Sequence, residues 1–538
     1  MIPVYAVENV YLDQMQYAGG ANTTSKQECL PGTRTSVLDE ITNWVNLPNT
    51  ENVPRVFWLH GVAGSGKSAL ALTICDRFNS VNRLVSAFFF DKAVTDRTPA
   101  KLFSTISRDL ADLVPEWRDA LTEILRGKKA LRTTMAVKEQ WNRFILDPAR
   151  KLAESTTTAR RILIVIDAVD EAGKSLDRDV MLSMFEDLGR LPSIFRVFIT
   201  SRPDDDIYAA LSGKGLVIAK DMARIDLQST FNDINSYVHH HLPSLDDATV
   251  HSLVEKAAGH FQWVATACRF IIGKEVSREV IQEYQWAGGM SRETQFNQKR
   301  LDHVLVSAHT YGLDGLYTSI LKECFPYGAD NQGFLSRFRA VLGRVLYSRI
   351  PLTLAALADL RRDNEEPLDT LRFLQPLSSL FQGVSAESDL PVQALHTSLQ
   401  DYLTTSHRSG QFCIPLDPQH DHHLGLACLH TMKSLQFNMC HLESSYLRND
   451  QVLDLSDRVQ RYIPHALAYA CRFWTHHIIS VPVSSSLLAQ LLTILEEKSL
   501  FWLEILSLMK VVGSVLVHLD QLQGFVKVRE PFTLLFRC

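Results

Sequence analysis

The segment from Arg55 to Leu72, "RVFWLHGVAGSGKSALAL", places an apolar run, a glycine-rich turn and an amphipathic pattern in immediate succession. The turn matches the pattern G-x-x-x-x-G-K-[ST], in which backbone N–H groups surround phosphate oxygens and the lysine adds a positive charge. Such a turn needs a buried strand before it and a helix N-terminus after it, so the segment predicts a phosphate-binding loop in an α/β domain. The predicted nucleotide contacts are Gly61, Val62, Ala63, Gly64, Ser65, Gly66, Lys67, Ser68 and Ala69.

Apolar runs alternate with longer amphipathic stretches between about residues 53 and 220. The runs are short and rich in β-branched or aromatic residues, namely "VPRVFWLH", "LVSAFFF", "RILIVIDAV", "FRVFIT" and "GLVIAK". Short buried strands separated by helices are typical of a parallel sheet, because each connection must cross back over the sheet. The sequence therefore predicts the α/β P-loop NTPase fold class, with a doubly wound, mainly parallel sheet.

From about residue 223 the strand pattern nearly vanishes and helical periodicity replaces it, apart from short candidate strands near "GVSA" and "PVQALH". We expect all-α helical modules to follow the α/β domain. The predicted divisions are an N-terminal loop and helix (1–50), the α/β domain (51–222), a helical module (223–298), a module that mixes helices with short strands (299–408) and a C-terminal helical region (409–538).

Composition narrows the classes of protein to which the chain can belong. A length of 538 residues is too great for one hydrophobic core, and 46% hydrophobic residues with 21% charged residues indicate folded domains rather than disorder. The net charge is −5, with both signs mixed along the chain. A dedicated nucleic-acid binder usually carries a basic face, so no nucleic-acid partner is expected.

Three further features bear on location. The nine cysteines are scattered without a CxxC pair, which is typical of reduced thiols in an intracellular protein. The opening residues, "MIPVYAVENVYLDQ", lack the pattern of a signal peptide. The most apolar late stretch, "SLFWLEILSLMKVVGSVLVHL", is broken by Glu504 and Lys510 and predicts a buried helix rather than a membrane span. We therefore expect a cytoplasmic protein without a membrane span.

A cluster of acidic residues follows the third apolar run, in "RRILIVIDAVDEA". Asp167 comes at the end of the predicted strand, where a carboxylate can hold Mg²⁺ together with the Ser68 hydroxyl. Asp170 and Glu171 follow within one helical turn and are the predicted catalytic residues, placed to orient or deprotonate an attacking water. The alternative is an ordinary strand followed by an acidic turn and a helix cap.

The fourth apolar run, in "VFITSRPDDDI", ends in a polar residue and an arginine. Because the carboxyl ends of neighbouring parallel strands meet at one edge, Arg202 is predicted to lie near the terminal phosphate of a bound nucleotide and to respond to its presence. The alternative is a surface arginine in a loop.

Together these motifs resemble the NACHT family of STAND P-loop NTPases, which includes the NLR-like proteins, and in particular its fungal members. "IDAVDEA" and "FITSRP" are similar to the family's acidic and arginine-bearing strand ends, and "CLPGTRTSVLDEITNWV" is similar to the segment that precedes its phosphate loop. The resemblance covers roughly residues 28 to 480. It implies that Arg34 lies near the nucleotide, and it gives the α/β domain the character of a NACHT domain.

The same resemblance extends to "VLGRVLYSRIPLTLAALADL" and "VQALHTSLQDYL", which look like the family's winged-helix module. It implies that residues 299–408 form a winged-helix-like module, and that His396 contacts the β-phosphate of the nucleotide in the closed form. The family's usual C-terminal repeats have no counterpart in this sequence.

The expected function is a nucleotide-controlled switch. ATP or ADP with Mg²⁺ is the expected ligand, with GTP left open, and slow hydrolysis would time domain opening and self-association in intracellular signalling to an unknown partner. Two alternatives stay open. One is a scaffold that is stabilised by nucleotide and does not hydrolyse it, and the other is an AAA+-type or nucleic-acid-dependent ATPase.

Overall fold

The structure is a computed structural model, and it describes residues 11–22, 24, 26–92, 94, 96–154, 161–213, 215–273, 292–306, 312–325, 332–361, 365, 369–385, 388–415, 417–444, 446–479, 485–512 and 519. The first ten residues of the predicted N-terminal segment and the end of the predicted C-terminal region, from residue 520, lie outside the described residues. The chain divides into two compact units, Met1–Cys268 with Tyr311–Leu313 and Arg269–Thr310 with Asp314–Cys538. The finer division into five segments stays a prediction.

The first unit is built on a five-stranded sheet whose strands all pair in parallel. Its strands are β1 (Val56–His60), β2 (Leu84–Phe89), β3 (Ile162–Asp167), β4 (Phe195–Ser201) and β5 (Val217–Asp221). Their order across the sheet is β2-β3-β4-β1-β5, so β4 lies between β1 and β3. The predicted parallel sheet is confirmed, and the carboxyl ends of its strands lie along one edge.

Side chains of the central strands point alternately into two hydrophobic cores, one on each face of the sheet. Trp58 and Ile164 belong to one core, whereas Phe57 and Val165 belong to the other. Alternation with a period of two is the geometry of an extended strand, and burial on both faces explains why these runs are apolar throughout. β1, β3 and β4 are buried along their whole length. The residues that follow these strands are therefore held in position at the carboxyl edge of the sheet.

Helices cover both faces of the sheet. Thr35–Asn46, for example, buries Val37, Ile41 and Trp44 at helical spacing. The helices that begin in the first unit are Thr35–Asn46, Lys67–Asn79, Pro99–Leu113, Pro115–Leu125, Lys129–Arg132, Val137–Gln140, Asp147–Glu154, Leu176–Phe185, Asp205–Leu211, Leu227–His241, Asp247–Ala257 and Phe261–Ile272, with a π-helical turn at Trp141–Leu146 and 3₁₀ turns at Val169–Ala172, Glu186–Arg190 and Met222–Arg224.

The second unit is mostly helical, as predicted. Its helices are Arg292–Val306, Leu313–Cys324, Gln332–Tyr347, Leu354–Asp359, Asp369–Leu374, Thr397–Leu403, Ser406–Ser409, Pro418–Met432, Leu455–Tyr462, His465–Ile479, Ser485–Thr493 and Ser499–Leu508, with a π-helical turn at Ile494–Lys498 and 3₁₀ turns at Gln375–Leu377, Gly410–Phe412 and Asn449–Gln451. The helix Ser499–Leu508 lies in the most apolar late stretch and buries Trp502 and Ile505. Within the described residues, no helix has both the length and the hydropathy that crossing a bilayer requires.

Three short antiparallel strands interrupt these helices. They are β6 (Leu352–Thr353), β7 (Phe381–Gln382) and β8 (Pro391–Ala394), and β8 lies between the other two. Helix, strand, helix, helix and two strands follow one another between Gln332 and Ala394. The winged-helix assignment for this module stays a prediction.

Candidate functional site

The phosphate loop connects β1 to the helix Lys67–Asn79, so Lys67, Ser68 and Ala69 lie in the first helical turn and the other predicted contacts precede it. Gly66 is the N-cap of that helix with φ = 96°, a left-handed conformation that glycine adopts without steric cost. A helix N-terminus presents unpaired N–H groups and a partial positive charge. The loop therefore ends in a structure that can bind an anion.

Lys67 is buried against its own loop. Its Nζ donates hydrogen bonds to the carbonyl oxygens of Gly61 (2.7 Å) and Val62 (2.9 Å). Burial lowers the pKa of Lys67 to about 8, although the carboxylates of Asp170 and Asp167 oppose this shift. Loop carbonyls are weaker partners for an ammonium group than phosphate oxygens. The lysine is thus held at the loop by contacts that a phosphate can replace.

Two loop glycines are in close contact with later parts of the first unit. A Cβ atom at Gly61 would lie 2.7 Å from Cβ of Met222, and one at Gly64 would lie 2.6 Å from Cβ of Gln262. The Gln262 N–H also donates to the carbonyl oxygen of Gly64, at 3.2 Å. Only glycine fits at these positions, because real Cβ atoms do not approach other atoms so closely. The loop is therefore packed against the start of the helix Phe261–Ile272.

Asp167 ends β3 and is fully buried. The Thr200 hydroxyl on the adjacent strand β4 donates to Oδ1 of Asp167 and accepts the N–H of Ala168 at 3.0 Å. Oδ2 is buried, and it accepts no hydrogen bond from any described residue. Ala168 has φ = 57°, the left-handed conformation in which larger side chains are disfavoured. The strand end thus commits one carboxylate oxygen and leaves the other for a cation.

One ammonium group connects Asp167 with the phosphate loop. Nζ of Lys26 donates to the Ser68 hydroxyl oxygen at 2.9 Å and lies 3.6 Å from Oδ2 of Asp167. The two predicted Mg²⁺ ligands are therefore close enough to contact the same positive charge.

Asp170 and Arg202 are paired with each other. Nε of Arg202 lies 3.1 Å from Oδ2 of Asp170, and the backbone N–H of Arg202 donates to Oδ1 at 2.9 Å. The pair joins the ends of β3 and β4, as the sheet order allows.

Glu171 is buried, and burial raises its pKa to about 7. Lys26 opposes this shift, whereas the negative charges of Asp170, Asp91 and Asp167 add to it. A carboxylate with a pKa near neutrality is well matched to accepting a proton from water. Glu171 therefore has the electrostatic character of a general base.

A cleft of about 430 Å³ lies beside these acids. Its walls come from the loops that follow β2, β3 and β4, and its charged lining includes Asp91, Lys92, Asp170, Glu171, Arg178 and Arg202. Arg178 is almost fully buried and holds Asp204 and Asp206 at 3.1 and 2.9 Å, so it organises one wall.

Arg34 and His396, which only the resemblance places near the nucleotide, have other contacts in the structure. The Arg34 guanidinium donates to the Thr230 hydroxyl at 3.0 Å and lies 4.7 Å from the ring centroid of Phe261, and its backbone N–H donates to Asp233 at 3.1 Å. His396 belongs to the second unit, where it caps the helix Thr397–Leu403 by accepting the N–H of Ser398 at 3.1 Å. Their predicted nucleotide contacts stay predictions.

The donor set fits Mg²⁺. Ser68 and Asp167 supply a hydroxyl and a carboxylate oxygen, which are the hard ligands that this ion prefers. Oδ2 of Asp167 accepts no hydrogen bond from a described residue and is buried where a metal ion would neutralise it. Across the described ranges, no group of three or more His, Cys, Asp or Glu side chains could hold a metal by itself. A metal here would need phosphate or water oxygens to complete its coordination.

Sequence reasoning missed three residues of this site: Lys26, Arg178 and Gln262. Lys26 lies in a polar stretch with no motif, and the approach of Gln262 to Gly64 joins positions almost 200 residues apart. Arg178 gives only a weak signal as a cation within an acidic segment. Local patterns do not reveal such long-range pairs.

Comparison with known proteins places the fold at a coarse level. The family model for the N-terminal region of nephrocystin 3 matches residues 32–202, which is less than half of the chain. A search of curated proteins found no match to the chain. Similar solved structures include a Walker-type ATPase of Pyrococcus abyssi, with 12% identity, a TM-score of 0.33 and coverage of 69% of this chain and 97% of that one.

Two further solved structures are DNA complexes of origin recognition proteins. The ORC1 protein of Aeropyrum pernix in complex with DNA has 13% identity and a TM-score of 0.32, with coverage of 68% of this chain and 88% of that one. The Drosophila ORC bound to DNA has 12% identity and a TM-score of 0.32, with coverage of 72% and 87%.

The expectation that excluded a nucleic-acid partner is wrong, because DNA-bound proteins stand among the structures that resemble this chain. Its physical basis, a net charge of −5, averages over the whole surface and does not exclude a local basic patch. The phosphate loop, the sheet order and the family match give the chain a P-loop NTPase-like fold, and none of them identifies the NACHT family specifically.

Proposed function

We propose that the chain binds a nucleoside triphosphate, ATP or GTP, together with Mg²⁺, and hydrolyses it slowly. One observation carries the proposal. The Ser68 hydroxyl and the Asp167 carboxylate contact the same ammonium group, at 2.9 and 3.6 Å, so both can reach one cation beside the phosphate loop. That arrangement is what a loop needs in order to bind nucleotide and metal together.

Binding replaces contacts that the protein makes with itself. Lys67 would exchange the carbonyls of Gly61 and Val62 for phosphate oxygens, which are stronger acceptors. The N-terminal turn that begins at Lys67 would face the same anion. Ser68 and Asp167 would hold Mg²⁺, which supplies electrostatic stabilisation of charge on the phosphate oxygens.

Hydrolysis needs a group that takes a proton from water, and Glu171 is the proposed acceptor because its pKa is near 7. Asp170 would keep Arg202 in place at the end of β4, and Arg202 would respond to the terminal phosphate by exchanging Asp170 for it. P-loop GTPases that receive no arginine finger from a partner turn over at about 10⁻⁴ to 10⁻² per second, which suits a timer.

We propose that binding and hydrolysis of the nucleotide operate a switch of the NACHT type, as the sequence resemblance suggests. The diphosphate form would favour a closed arrangement through His396, and the triphosphate form would favour opening and self-association through Arg202. A complete shift between two such states requires a difference in binding free energy of about 5.5 kcal/mol.

A second candidate is a nucleic-acid-dependent ATPase, and the DNA-bound proteins among the similar solved structures are the reason to test it. A third, a scaffold that never hydrolyses its nucleotide, is disfavoured by the buried base-like Glu171. Stimulation of hydrolysis by double-stranded DNA, lost as salt is raised, would select the nucleic-acid candidate over the switch.

The primary experiment is equilibrium binding of radiolabelled ATP and GTP to the full chain, with Lys67→Ala beside it. We expect an affinity loss of about 100-fold, because a charged partner of the phosphates is removed. Lys128→Met is the matched control, since Lys128 is exposed and is not among the site residues. Equal affinity of Lys67→Ala and the parent would show that the site assignment is wrong.

A further inference from the structure

Lys26 is not part of the phosphate-loop motif, yet its ammonium group occupies the centre of the predicted metal site. It lies 2.9 Å from the Ser68 hydroxyl oxygen and 3.6 Å from Oδ2 of Asp167. Oδ2 is buried and accepts no hydrogen bond from a described residue, so this ion pair compensates its charge together with the longer-range attraction of Lys67. The side chain of Lys26 is 24% exposed and that of Asp167 is 0% exposed.

Four carboxylates attract the Lys26 ammonium group: Asp167 in its ion pair, and Glu171, Asp91 and Asp170 at longer range. A cation between a hydroxyl and a carboxylate at this position satisfies the same two groups that a divalent ion would. The two cations compete for these contacts, because an ammonium group and a divalent ion bound to the same two oxygens would lie a few ångströms apart and repel each other.

Lys26 also belongs to a segment that is anchored along the first unit. The Cys29 N–H donates to the Thr73 hydroxyl at 2.9 Å, on the helix that begins at Lys67, and Arg34 contacts Thr230 and Asp233 on the helix Leu227–His241. Lys26 therefore lies at one end of a chain segment whose other end, at Arg34, contacts the helix Leu227–His241. Movement of Lys26 would alter the first end of this segment.

We propose that Lys26 is an internal counter-cation, which occupies the Mg²⁺ position of the nucleotide-free protein and is displaced when nucleotide and Mg²⁺ bind. The inference rests on the proposed function and adds a regulatory residue to the same site. Displacement frees the segment 26–34 at its first anchor, and the free energy needed for it raises the concentration of free Mg²⁺ at which nucleotide binding is half-saturated.

The test measures binding of the non-hydrolysable imido analogue of ATP to the full chain, for the parent and the variants. Free Mg²⁺ is raised from zero, set with EDTA, to a concentration on the order of 10 mM. Lys26→Met should lower the half-saturating concentration of free Mg²⁺ by about tenfold, because the competing charge is gone. Lys26→Arg keeps the charge and Lys128→Met changes an exposed lysine, so both should match the parent.

A second measurement needs no variant. Acetylation of the parent with an amine-specific reagent, followed by mass spectrometry, should leave Lys26 protected in the free protein and label it once Mg²⁺ and the analogue are both added. Lys128 is the internal reference. An unchanged or higher Mg²⁺ requirement in folded Lys26→Met, or continued protection of Lys26 with both ligands bound, would overturn the inference while leaving the proposed function intact. Absence of any binding by the parent would instead remove the proposed function itself.

Discussion

Polar groups at the carboxyl edge of the five-stranded sheet are paired differently from those of a hydroxyl cluster in the second unit. The cluster consists of Tyr317, Thr318, Ser398 and Tyr402. At the edge, Lys67 bonds to its own loop and Oδ2 of Asp167 accepts no hydrogen bond from the described residues. In the cluster, hydroxyl groups pair with one another: Tyr317 with Ser398 at 2.9 Å and Thr318 with Tyr402 at 2.7 Å.

The difference distinguishes groups whose present contacts a ligand can replace from groups whose contacts stabilise the fold. Oδ2 of Asp167 is buried in an ion pair with Lys26 and accepts no hydrogen bond from a described residue, so a metal ion can improve its interactions. A cluster of mutually paired hydroxyls stabilises its own unit and has less to gain from a ligand. Substitutions at the edge should therefore change mainly binding and hydrolysis, whereas substitutions in the cluster should change mainly stability.

The largest expected effect is on hydrolysis. Glu171→Gln should lower the hydrolysis rate by about 10² to 10⁴-fold, with unchanged nucleotide affinity, because it removes the proton acceptor. In the parent the rate should fall as the pH drops below about 7, where Glu171 becomes protonated, and should level off above it.

Phosphate release at nucleotide concentrations well below saturation, where the rate reports the pKa values of the free protein, checks this prediction over a pH series. Glu116→Gln, an exposed acid of the same unit, should behave like the parent. A pH profile without an inflection near 7 would assign the role to another group, with Asp170→Asn as the next variant.

The next largest effect concerns how tightly the loop is packed. Gly64→Ala should weaken nucleotide affinity about 10 to 100-fold, because the added Cβ would overlap Gln262. Gly127→Ala is the control, since Gly127 has a similar φ of +72° with nothing within 4 Å of an added Cβ. It should lower the thermal midpoint slightly, through backbone strain alone, and leave binding unchanged. Equal effects of the two variants would mean that the contact with Gln262 does not hold the loop.

On the other side of the contrast, Ser398→Ala should lower the free energy of unfolding by about 1–2 kcal/mol, because it removes the hydrogen bonds of the buried Ser398 hydroxyl with Tyr317 and His396. Affinity for the imido analogue of ATP should stay at the parent value. Denaturant unfolding and equilibrium binding measure the two quantities. A large loss of affinity with unchanged stability would reverse the assignment of this cluster.

The smallest effect is expected at His396. If the resemblance to NACHT proteins holds, His396→Ala should weaken ADP binding about fivefold, roughly 1 kcal/mol, and leave the imido analogue unaffected. Loss of the cap on the helix Thr397–Leu403 should cost about 1 kcal/mol of stability in either case. Equal ADP affinities of His396→Ala and the parent would contradict the predicted nucleotide contact of His396.

The parts of the molecule that follow from local pattern were predictable. All five apolar runs became strands of the parallel sheet. β1, β3 and β4 are buried along their whole length, and burial on both faces demands the continuous apolar sequence that they show. Asp167 was placed at a strand end by the same reasoning, and the edge of a parallel sheet then brings it toward the phosphate loop.

What escaped prediction depends on contacts between distant segments. The pairing of Asp170 with Arg202 joins two motifs that were assigned separate roles, and nothing in either motif indicates that they neutralise each other. Lys26 has no sequence signature at all, since a single lysine in a polar stretch is usually solvated. β6 and β7 are only two residues long, too short for an alternating pattern to specify them.

The Thr200 hydroxyl has a consequence for ion selectivity. It accepts the N–H of Ala168 and gives its proton to Oδ1 of Asp167, so its orientation is fixed and only Oδ2 stays available. A carboxylate restricted in this way binds through one oxygen, a mode that suits small octahedral ions better than calcium, which readily accepts both oxygens of a carboxylate. Because Ca²⁺ also binds carboxylates through one oxygen, we expect this threonine on the neighbouring strand to favour Mg²⁺ at Oδ2 rather than to exclude Ca²⁺.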